Sequence, residues 1–275
     1  MRDKIKAVFE NRPQLRAVFN VYEATLGWNW RTIRQNWRYR AGVAEDGLPI
    51  PPVRLIVKVA GTAEIGAFLR AGDWAADSIR GLLNKNGLAL EQFEALLDFG
   101  CGCGRVIRRW HAMTNVQIHG VDYNPELVHW CGAHLPFARF AVNGLEPPLP
   151  YAAGSFDFIY ALSVFTHLPE TLQQAWLADL ARVLKPGGHA LLTLHGDYYL
   201  PHLTPDERQR YQSGEWVVKY AQVAGTNLCA SFCSPAYVTR SMTRSLDLVD
   251  FVPQGAKGNP HQDACLLRKP ADRAD

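Results

Sequence analysis

No run of apolar residues in this 275-residue sequence approaches the roughly 20 that a helix needs to cross a bilayer. The first five residues also lack the apolar stretch of a secretory signal. We therefore expect no transmembrane segment and a cytoplasmic location. Hydrophobic residues make up 48% of the chain and charged residues 20%, a composition that suits a sizeable buried core and excludes disorder over most of the length.

Net charge is also small, at +3, and by itself indicates no nucleic-acid partner. Basic and aromatic residues nevertheless alternate near the start of the chain: Arg31, Arg34, Arg38 and Arg40 lie among Trp28, Trp30 and Trp37. Such a segment could meet an acidic surface or lipid headgroups. The alternative is an N-terminal helix that packs its tryptophans on the body and points its arginines into water, and we favour this one because tryptophans bury readily.

The six cysteines show neither a disulfide nor a zinc pattern. Cys101 and Cys103 lie in a glycine-rich loop, and Cys131 lies in a helical stretch. Cys229 and Cys233 are four residues apart, with no second pair of ligands at a suitable spacing. We expect six free thiols and no metal site.

A run of helix breakers, Gly-Leu-Pro-Ile-Pro-Pro at residues 47–52, marks the clearest boundary in the sequence. We divide the chain there into an N-terminal helical extension, 1–50, and one domain, 51–275. Within that domain, residues of about 95–195 are expected to hold a cofactor, and residues of about 195–245 are expected to cover the acceptor side.

Strand and helix signals alternate through the central part. The predicted strands are 95–99, 116–121, 137–142, 156–162 and 189–194, and the predicted helices are 105–111, 125–134 and 170–184. This alternation indicates an α/β, doubly wound fold whose mostly parallel sheet is covered on both faces. After residue 195 the pattern changes to helices at 205–211 and 235–244 and strands at 216–220, 246–252 and 264–268.

A glycine loop follows the first predicted strand. Residues 97–105 read Leu-Asp-Phe-Gly-Cys-Gly-Cys-Gly-Arg, a G-x-G-x-G spacing in which the third glycine comes one residue earlier than in a dinucleotide-binding loop. Asp122 ends the second predicted strand, where a carboxylate can accept two hydrogen bonds from a ribose diol. The alternative role of Asp122 is to cap the helix that begins at Pro125.

Four segments resemble, in order and spacing, the successive motifs of class I S-adenosylmethionine-dependent methyltransferases. They are LLDFGCGCGR, GVDYNPE, FDFIYALSVFTHL and ARVLKPGGHALLTL, and they cover residues of about 95–195. A looser similarity links the chain to bacterial small-molecule or sugar-modifying members. The resemblance implies a Rossmann-like sheet of seven strands with the last antiparallel, and the change of pattern after residue 195 indicates an insertion after the fifth strand. It also implies S-adenosylmethionine as the cofactor.

Carried over by position, the resemblance implies a set of cofactor-binding residues. Gly100, Cys101, Gly102 and Gly104 belong to the loop along the methionine and ribose, with Asp98 near the amino group. Asp122 would hold the ribose, Tyr123 would stack on the adenine, and Asn143 and Gly144 would meet the adenine edge. Ala161 and Ser163 would line the methyl-transfer face. The segment around Phe68, Leu69 and Gly72 would cover the methionine end.

Methyl transfer to a hydroxyl also needs a group that takes the proton, and such a base must lie at the carboxyl ends of the strands. His167 and His195 follow the fourth and fifth predicted strands. We expect a methyltransferase that acts on a small molecule, on the oxygen of a sugar or secondary metabolite. The alternatives are a nicotinamide-dependent oxidoreductase and a non-catalytic regulatory module that binds the cofactor. The sequence makes no prediction of the oligomeric state.

Overall fold

The computed structural model describes residues 30–259 and 261–271. The expectations for Trp28, for the first residues and for most of the N-terminal extension lie outside this range. Helices and strands are numbered below within the described part of the chain, where no helix is long and apolar enough to span a membrane.

Most of the strands form one large sheet. They are β1 Ala95–Phe99, β2 Gln117–Asp122, β3 Arg139–Val142, β4 Phe156–Ala161, β5 Leu184–Leu194, β8 Asp247–Ala256 and β9 Gln262–Arg268, in the spatial order β3-β2-β1-β4-β5-β9-β8. The neighbours from β3 to β5 pair in parallel, whereas β9 runs antiparallel to both β5 and β8. The predicted seven-stranded, mostly parallel sheet with an antiparallel last strand is confirmed.

Helices cover both faces of this sheet. They are α1 Trp30–Asn36, α2 Val53–Ala60, α3 Ile65–Lys85, α4 Pro125–His134, α5 Glu170–Val183, α6 Pro205–Gln212 and α7 Pro235–Ser241. Because side chains alternate across a strand, Leu96 of β1 packs with α3 and α4 on one face, and Leu97 packs with α5 and α7 on the other. All five residues of β1 are buried, as expected of a central parallel strand.

The segment before α2 is joined to this body by a buried ion pair. Both Nε and Nη2 of Arg108 donate to the carboxylate of Asp46, at 2.7 and 2.9 Å, and Nη2 also donates to the carbonyl of Leu48. The Arg108 side chain is fully buried, and the Asp46 side chain is 8% exposed. Removing one partner of such a pair leaves an uncompensated buried charge, so we expect it to be important for stability.

The insertion after β5 contains α6, α7 and a small antiparallel hairpin of β6 Val217–Lys219 and β7 Ala230–Phe232. Strand β7 was not predicted, because it is only three residues long and its partner lies eleven residues or more away. The helix predicted at 105–111 is wrong. Gly104, just before this range, has a left-handed φ of +81°, the turn of the glycine loop continues to residue 106, and only a 3₁₀ turn follows, at Ile107–Trp110.

The prediction that the tryptophans of the basic and aromatic segment pack on the body is also wrong for two of them. Trp30 and Trp37 are 84% and 66% exposed rather than packed on the body. The contact with the body is polar instead: Asn36 accepts a hydrogen bond from the amide of Ile65 and donates one to the carbonyl of Ala63. The six cysteines are free and buried, as predicted.

Candidate functional site

A cavity of about 370 Å³ opens at the carboxyl ends of β1, β2 and β4. Open α/β sheets bind ligands at this edge, at the point where the strand order reverses. Here β1 lies between β2 and β4, so the chain leaves β1 toward one side of the sheet and later returns to its other side. The predicted residues in the wall of this cavity are Asp98, Gly100, Cys101, Gly102, Asp122, Tyr123, Gly144, Ser163 and His167.

The glycine loop forms the floor of the cavity. The amides of Gly100 and Cys101 both donate to the carbonyl of Val121, at 2.8 and 2.9 Å, so the loop folds back onto the end of β2. Gly102 has a φ of +57°, and a Cβ atom there would lie 2.8 Å from Val59. Glycine is therefore required at this position both for the backbone conformation and for the close approach of α2.

Asp122 ties the loop to β2. One carboxylate oxygen accepts a hydrogen bond from the amide of Gly102, and the other accepts one from the amide of Asn124, both at 2.9 Å. Burial raises the pKa of Asp122, and these two amides counteract the rise. A carboxylate offers about four lone-pair sites, so two remain for a ligand in the cavity. The residue that caps α4 is Asn124 and not Asp122: the side chain of Asn124 accepts a hydrogen bond from the amide of Glu126 in the first turn of the helix.

Asp98 is a buried carboxyl at the end of β1. Burial raises its pKa to about 7, although a hydrogen bond with Tyr160 and the charge of Arg105 act in the opposite direction. Tyr160 in turn accepts a hydrogen bond from the indole of Trp110 at 2.9 Å. This chain of ring hydrogen bonds fixes the carboxyl at the cavity wall, where a cationic ligand group would favour its charged form.

Polar groups follow β3 on the side of the cavity next to Tyr123. The side-chain amide of Asn143 donates to the carbonyl of Gly144 at 2.6 Å. Its oxygen Oδ1 is buried and has no hydrogen-bond partner among the described residues. A buried acceptor without a donor is costly. Gly144 lies in the cavity wall, although Asn143 does not.

Two histidines lie at the opposite end, beside β7. His167 contacts the carbonyl of Cys229 through Nδ1 at 2.6 Å, and His195 contacts the carbonyl of Ser231 through Nδ1 at 3.1 Å. Since a carbonyl can only accept, each Nδ1 carries the proton and each Nε2 is an acceptor. Nε2 of His167 lies 3.5 Å from Oγ of Ser163. Burial, with a smaller effect from His167, lowers the pKa of His195 to about 3, which keeps that ring neutral.

Two distant segments close the cavity from above. The wall includes Lys58 and Val59 of α2 and the loop of residues 225–228. The side-chain amide of Asn227 donates to the carbonyl of Lys58 at 2.9 Å, which joins the two segments. The amide of Gly225 donates to the carbonyl of His167 at 2.8 Å. A ligand in the cavity is therefore partly shielded from water.

Part of this chain is similar in sequence to known methyltransferases. Residues 96–188 match the family described as methyltransferase domain. An uncharacterized methyltransferase of Synechocystis is 30% identical over 109 residues, which are 39% of this chain and 50% of the relative. The 27-O-demethylrifamycin SV methyltransferase of Amycolatopsis mediterranei is 31% identical over 120 residues, which are 41% of this chain and 42% of the relative.

The fold has solved counterparts as well. A crystal structure of an S-adenosylmethionine-dependent methyltransferase from Methanosarcina mazei superposes with a TM-score of 0.51 and 20% identity, over 69% of this chain and 98% of that one. Residues 96–188 therefore match a methyltransferase domain, and the fold of the chain is that of S-adenosylmethionine-dependent methyltransferases. The cofactor of this family is S-adenosylmethionine. The chain spans about half the length of the curated relatives that it matches first.

Four residues that we expected in the site of the methyltransferase domain do not belong to the cavity wall formed by the described residues: Gly104, Asn143, Ala161 and His195. Gly104 packs against α4, where a Cβ atom would lie 2.6 Å from Leu135. Ala161 is fully buried within the sheet, and the ring of His195 packs against that of Tyr199, with the centroids 4.2 Å apart and the planes tilted by 43°. These three residues therefore pack within the body and do not line the cavity, whereas the side-chain amide of Asn143 donates to the carbonyl of Gly144 in the wall.

The segment that we expected to cover the methionine end does not line the cavity. Phe68 and Leu69 are buried in the core, and Gly72 packs against the backbone of Arg105. The cavity is bordered instead by α2 and by residues 225–228, which lie far from the glycine loop in sequence. The only sequence signal for α2 is its apolar run between Pro52 and Gly61, which is also typical of an ordinary core helix.

Proposed function

We propose that this protein transfers a methyl group from S-adenosylmethionine to a hydroxyl oxygen of a small-molecule acceptor. The observation that carries the proposal is the arrangement of Asp122. Its carboxylate is held by two backbone amides at the end of β2, in the cavity wall, with acceptor capacity left for a ribose diol.

The residues around the cavity fit the rest of the cofactor. Asp98 suits the methionine ammonium group of the cofactor, because a nearby cation stabilises the ionised form of this buried carboxyl. Tyr123 and Gly144 border the cavity after β2 and β3, where they could meet the ring and the edge of the adenine. S-adenosylmethionine supplies a methyl group on a sulfonium, so the protein has to bind, orient and exclude water.

We assign the proton transfer to His167 rather than to His195. His167 lies in the cavity wall, and its Nδ1 proton is committed to the carbonyl of Cys229. Nε2 can therefore take the hydroxyl proton of the acceptor as the new bond from oxygen to the methyl carbon forms and the bond from sulfur to that carbon breaks. His195 lies beside this arrangement: its ring contacts the carbonyl of Ser231 in β7, and the ring of His167 contacts the carbonyl of Cys229 just before β7.

The segments that close the cavity support a small acceptor, and one relative supports oxygen as the acceptor atom. The hydrogen bond between Asn227 and Lys58 bridges two walls, which leaves room for a compact ligand. One relative is named for methylation of 27-O-demethylrifamycin SV, which supports oxygen as the acceptor atom.

The oxidoreductase alternative fits less well. A dinucleotide loop places its pyrophosphate at the N-terminus of the helix that follows the loop. In the described segment between β1 and β2, the only helical element is the four-residue 3₁₀ turn Ile107–Trp110. Its first residue comes three positions after the last glycine of the loop.

Isotope transfer tests the proposal. The purified protein is incubated with methyl-labelled S-adenosylmethionine and fractionated metabolites, and the labelled product is identified by mass spectrometry. We expect an oxygen-methylated small molecule, and we expect S-adenosylhomocysteine to bind far more tightly than NADH in calorimetry. Tighter binding of NADH would overturn the proposal. Tight binding of S-adenosylhomocysteine without any methylated product would favour the regulatory module.

Substitution of the proposed base separates catalysis from binding. His167→Gln is expected to lower kcat for a hydroxyl acceptor by about a hundredfold or more, because positioned bases contribute about 10²–10⁴-fold. The Kd of S-adenosylhomocysteine should stay unchanged. His129→Gln, on the exposed side of α4, is the matched control. If kcat is equal in the two variants, His167 does not take the proton.

A further inference from the structure

Helix α1 attaches to the body in the reverse of the usual orientation. A surface helix of a globular protein normally buries its apolar stripe. In α1 the contact is made by Asn36, whose side chain bonds the backbone of Ala63 and Ile65 at distances of 2.9 and 3.0 Å. Tyr39, in the 3₁₀ turn that follows α1, packs against the core below. The apolar side chains of α1 are thereby left on the outside.

These outward residues form one stripe. Trp30, Ile33 and Trp37 are spaced by three and four residues, which places them on the same side of the helical segment. All three are exposed, Ile33 to 41%, and within the described part of the chain nothing covers them. We call these three residues the aromatic stripe. Exposed tryptophans of this kind mark a surface that meets a partner.

A basic groove runs beside the aromatic stripe. It has a volume of about 550 Å³ and is lined by Arg31, Arg34, Arg38 and Arg70, with Glu64 as its single acidic residue. Glu64 pairs with Arg70 at 3.1 Å, which leaves the groove with a clear excess of positive charge. Arg40 adds a further cation, and its guanidinium lies 5.6 Å from the ring centre of Trp37.

We propose that the aromatic stripe and the basic groove attach this protein to the surface of a bilayer that contains anionic lipids. Tryptophan rings are favourable at the depth of the headgroups, where their apolar faces are buried and their N–H groups remain hydrated. Arginines beside them meet lipid phosphates and carboxylates, and reach the surface by extending their side chains. The proposal does not depend on the methyltransferase activity.

The combination of features favours a bilayer over a nucleic acid. A phosphate backbone would complement the arginines, but it offers no apolar region in which Ile33 and the two tryptophans could be buried. A bilayer offers both, an anionic surface and an acyl boundary a few ångströms below it. The helical segment is short, so we expect reversible attachment that depends on charge and not permanent insertion.

Vesicle sedimentation with the full-length protein tests the attachment. The vesicles contain phosphatidylcholine alone, or phosphatidylcholine with about a third phosphatidylglycerol. We expect strong binding only to the anionic vesicles, a loss of binding when salt shortens the Debye length, and a blue shift of tryptophan fluorescence on binding. Equal binding to the two kinds of vesicle, or none to either, would overturn the proposal.

Paired variants assign the effect to this surface. The double variant Arg31→Glu with Arg34→Glu is expected to weaken binding by about tenfold or more, since each basic residue near an anionic surface contributes about fivefold. The double variant Trp30→Ala with Trp37→Ala is expected to weaken binding by about tenfold or more as well, because it removes the rings that are buried at the depth of the headgroups. Arg208→Glu with Arg244→Glu is the matched charge control, and Trp74→Ala, an exposed tryptophan of α3, is the matched aromatic control.

All substituted side chains are exposed, so the variants should fold, and their melting temperatures verify this. Equal effects of the test and control variants would contradict the proposal. So would a dimer that dissociates in the Trp30→Ala, Trp37→Ala variant, because the stripe would then bind a second copy of the chain. Binding to RNA in preference to anionic vesicles would also contradict it, because the groove would then serve a nucleic acid.

Discussion

The pKa of Asp98 makes cofactor binding dependent on pH. In the free protein, burial raises this pKa to about 7, so near neutral pH a large fraction of the molecules carry a neutral carboxyl. The methionine ammonium of the cofactor interacts favourably only with the carboxylate. We therefore expect the affinity for S-adenosylmethionine to fall as pH is lowered through the pKa of Asp98.

The size of the effect follows from the ionised fraction. At about pH 7 half of the molecules carry the carboxylate, and at about pH 5.5 only about 3% do. If only the ionised form binds the cation well, the apparent Kd rises about fifteenfold over this range. The affinity should be measured below pH 7 and not above it. Near pH 8 the α-amino group of the ligand begins to lose its own proton, and this would add a second pH dependence.

Isothermal titration calorimetry across this pH range measures the effect. Methylthioadenosine is the matched ligand: it keeps the adenine and the ribose that we assign to Asp122 but lacks the ammonium. Its Kd should change much less with pH. Asp98→Asn is the matched variant, because an amide preserves the shape of the side chain and a hydrogen bond with Tyr160 while it removes the titration.

Two results would refute this reasoning. If S-adenosylmethionine and methylthioadenosine show the same pH profile, the dependence arises at the ribose or adenine and not at the ammonium. If Asp98→Asn retains the profile of the wild type, another group titrates. Either outcome would remove Asp98 from the methionine end of the cavity.

Two further variants probe the ribose site and the attachment of the segment before α2. Asp122→Ala is expected to weaken S-adenosylhomocysteine binding by about tenfold or more, because two charge-assisted hydrogen bonds to the diol are lost; an unchanged Kd in calorimetry would exclude Asp122 from the site. Asp46→Ala is expected to lower the free energy of unfolding by about 3 kcal/mol or more, because it leaves the buried guanidinium of Arg108 without its counter-charge. Urea denaturation measures the loss, and Glu215→Ala, which breaks an exposed ion pair, should leave the midpoint in place. A similar midpoint in both variants would show that the pair with Arg108 is not important for stability.

The central sheet and the glycine loop could be predicted because both depend on local patterns. Apolar runs of five or six residues between short turns are typical of buried parallel strands, and the loop with Asp122 lies at the junction between strand and helix that the fold requires. The 3₁₀ turn after the loop could not be predicted. Apolar spacing over residues 105–111 suits a helix, and only the left-handed backbone at Gly104 shows that a regular helix does not begin there.

By itself, the sequence determined the order of the strands along the chain, the position of the glycine loop and the carboxylates that face the cavity. Only the tertiary structure decided which segments cover that cavity, since Lys58 and Asn227 meet across 169 residues of chain. It also decided that Trp30 of α1 and Trp37 of the following 3₁₀ turn face outward, because the polar contacts of Asn36 determine which side of this segment faces the body. Periodicity identifies the two sides of a helix, but the side that is buried depends on partners that are distant in sequence.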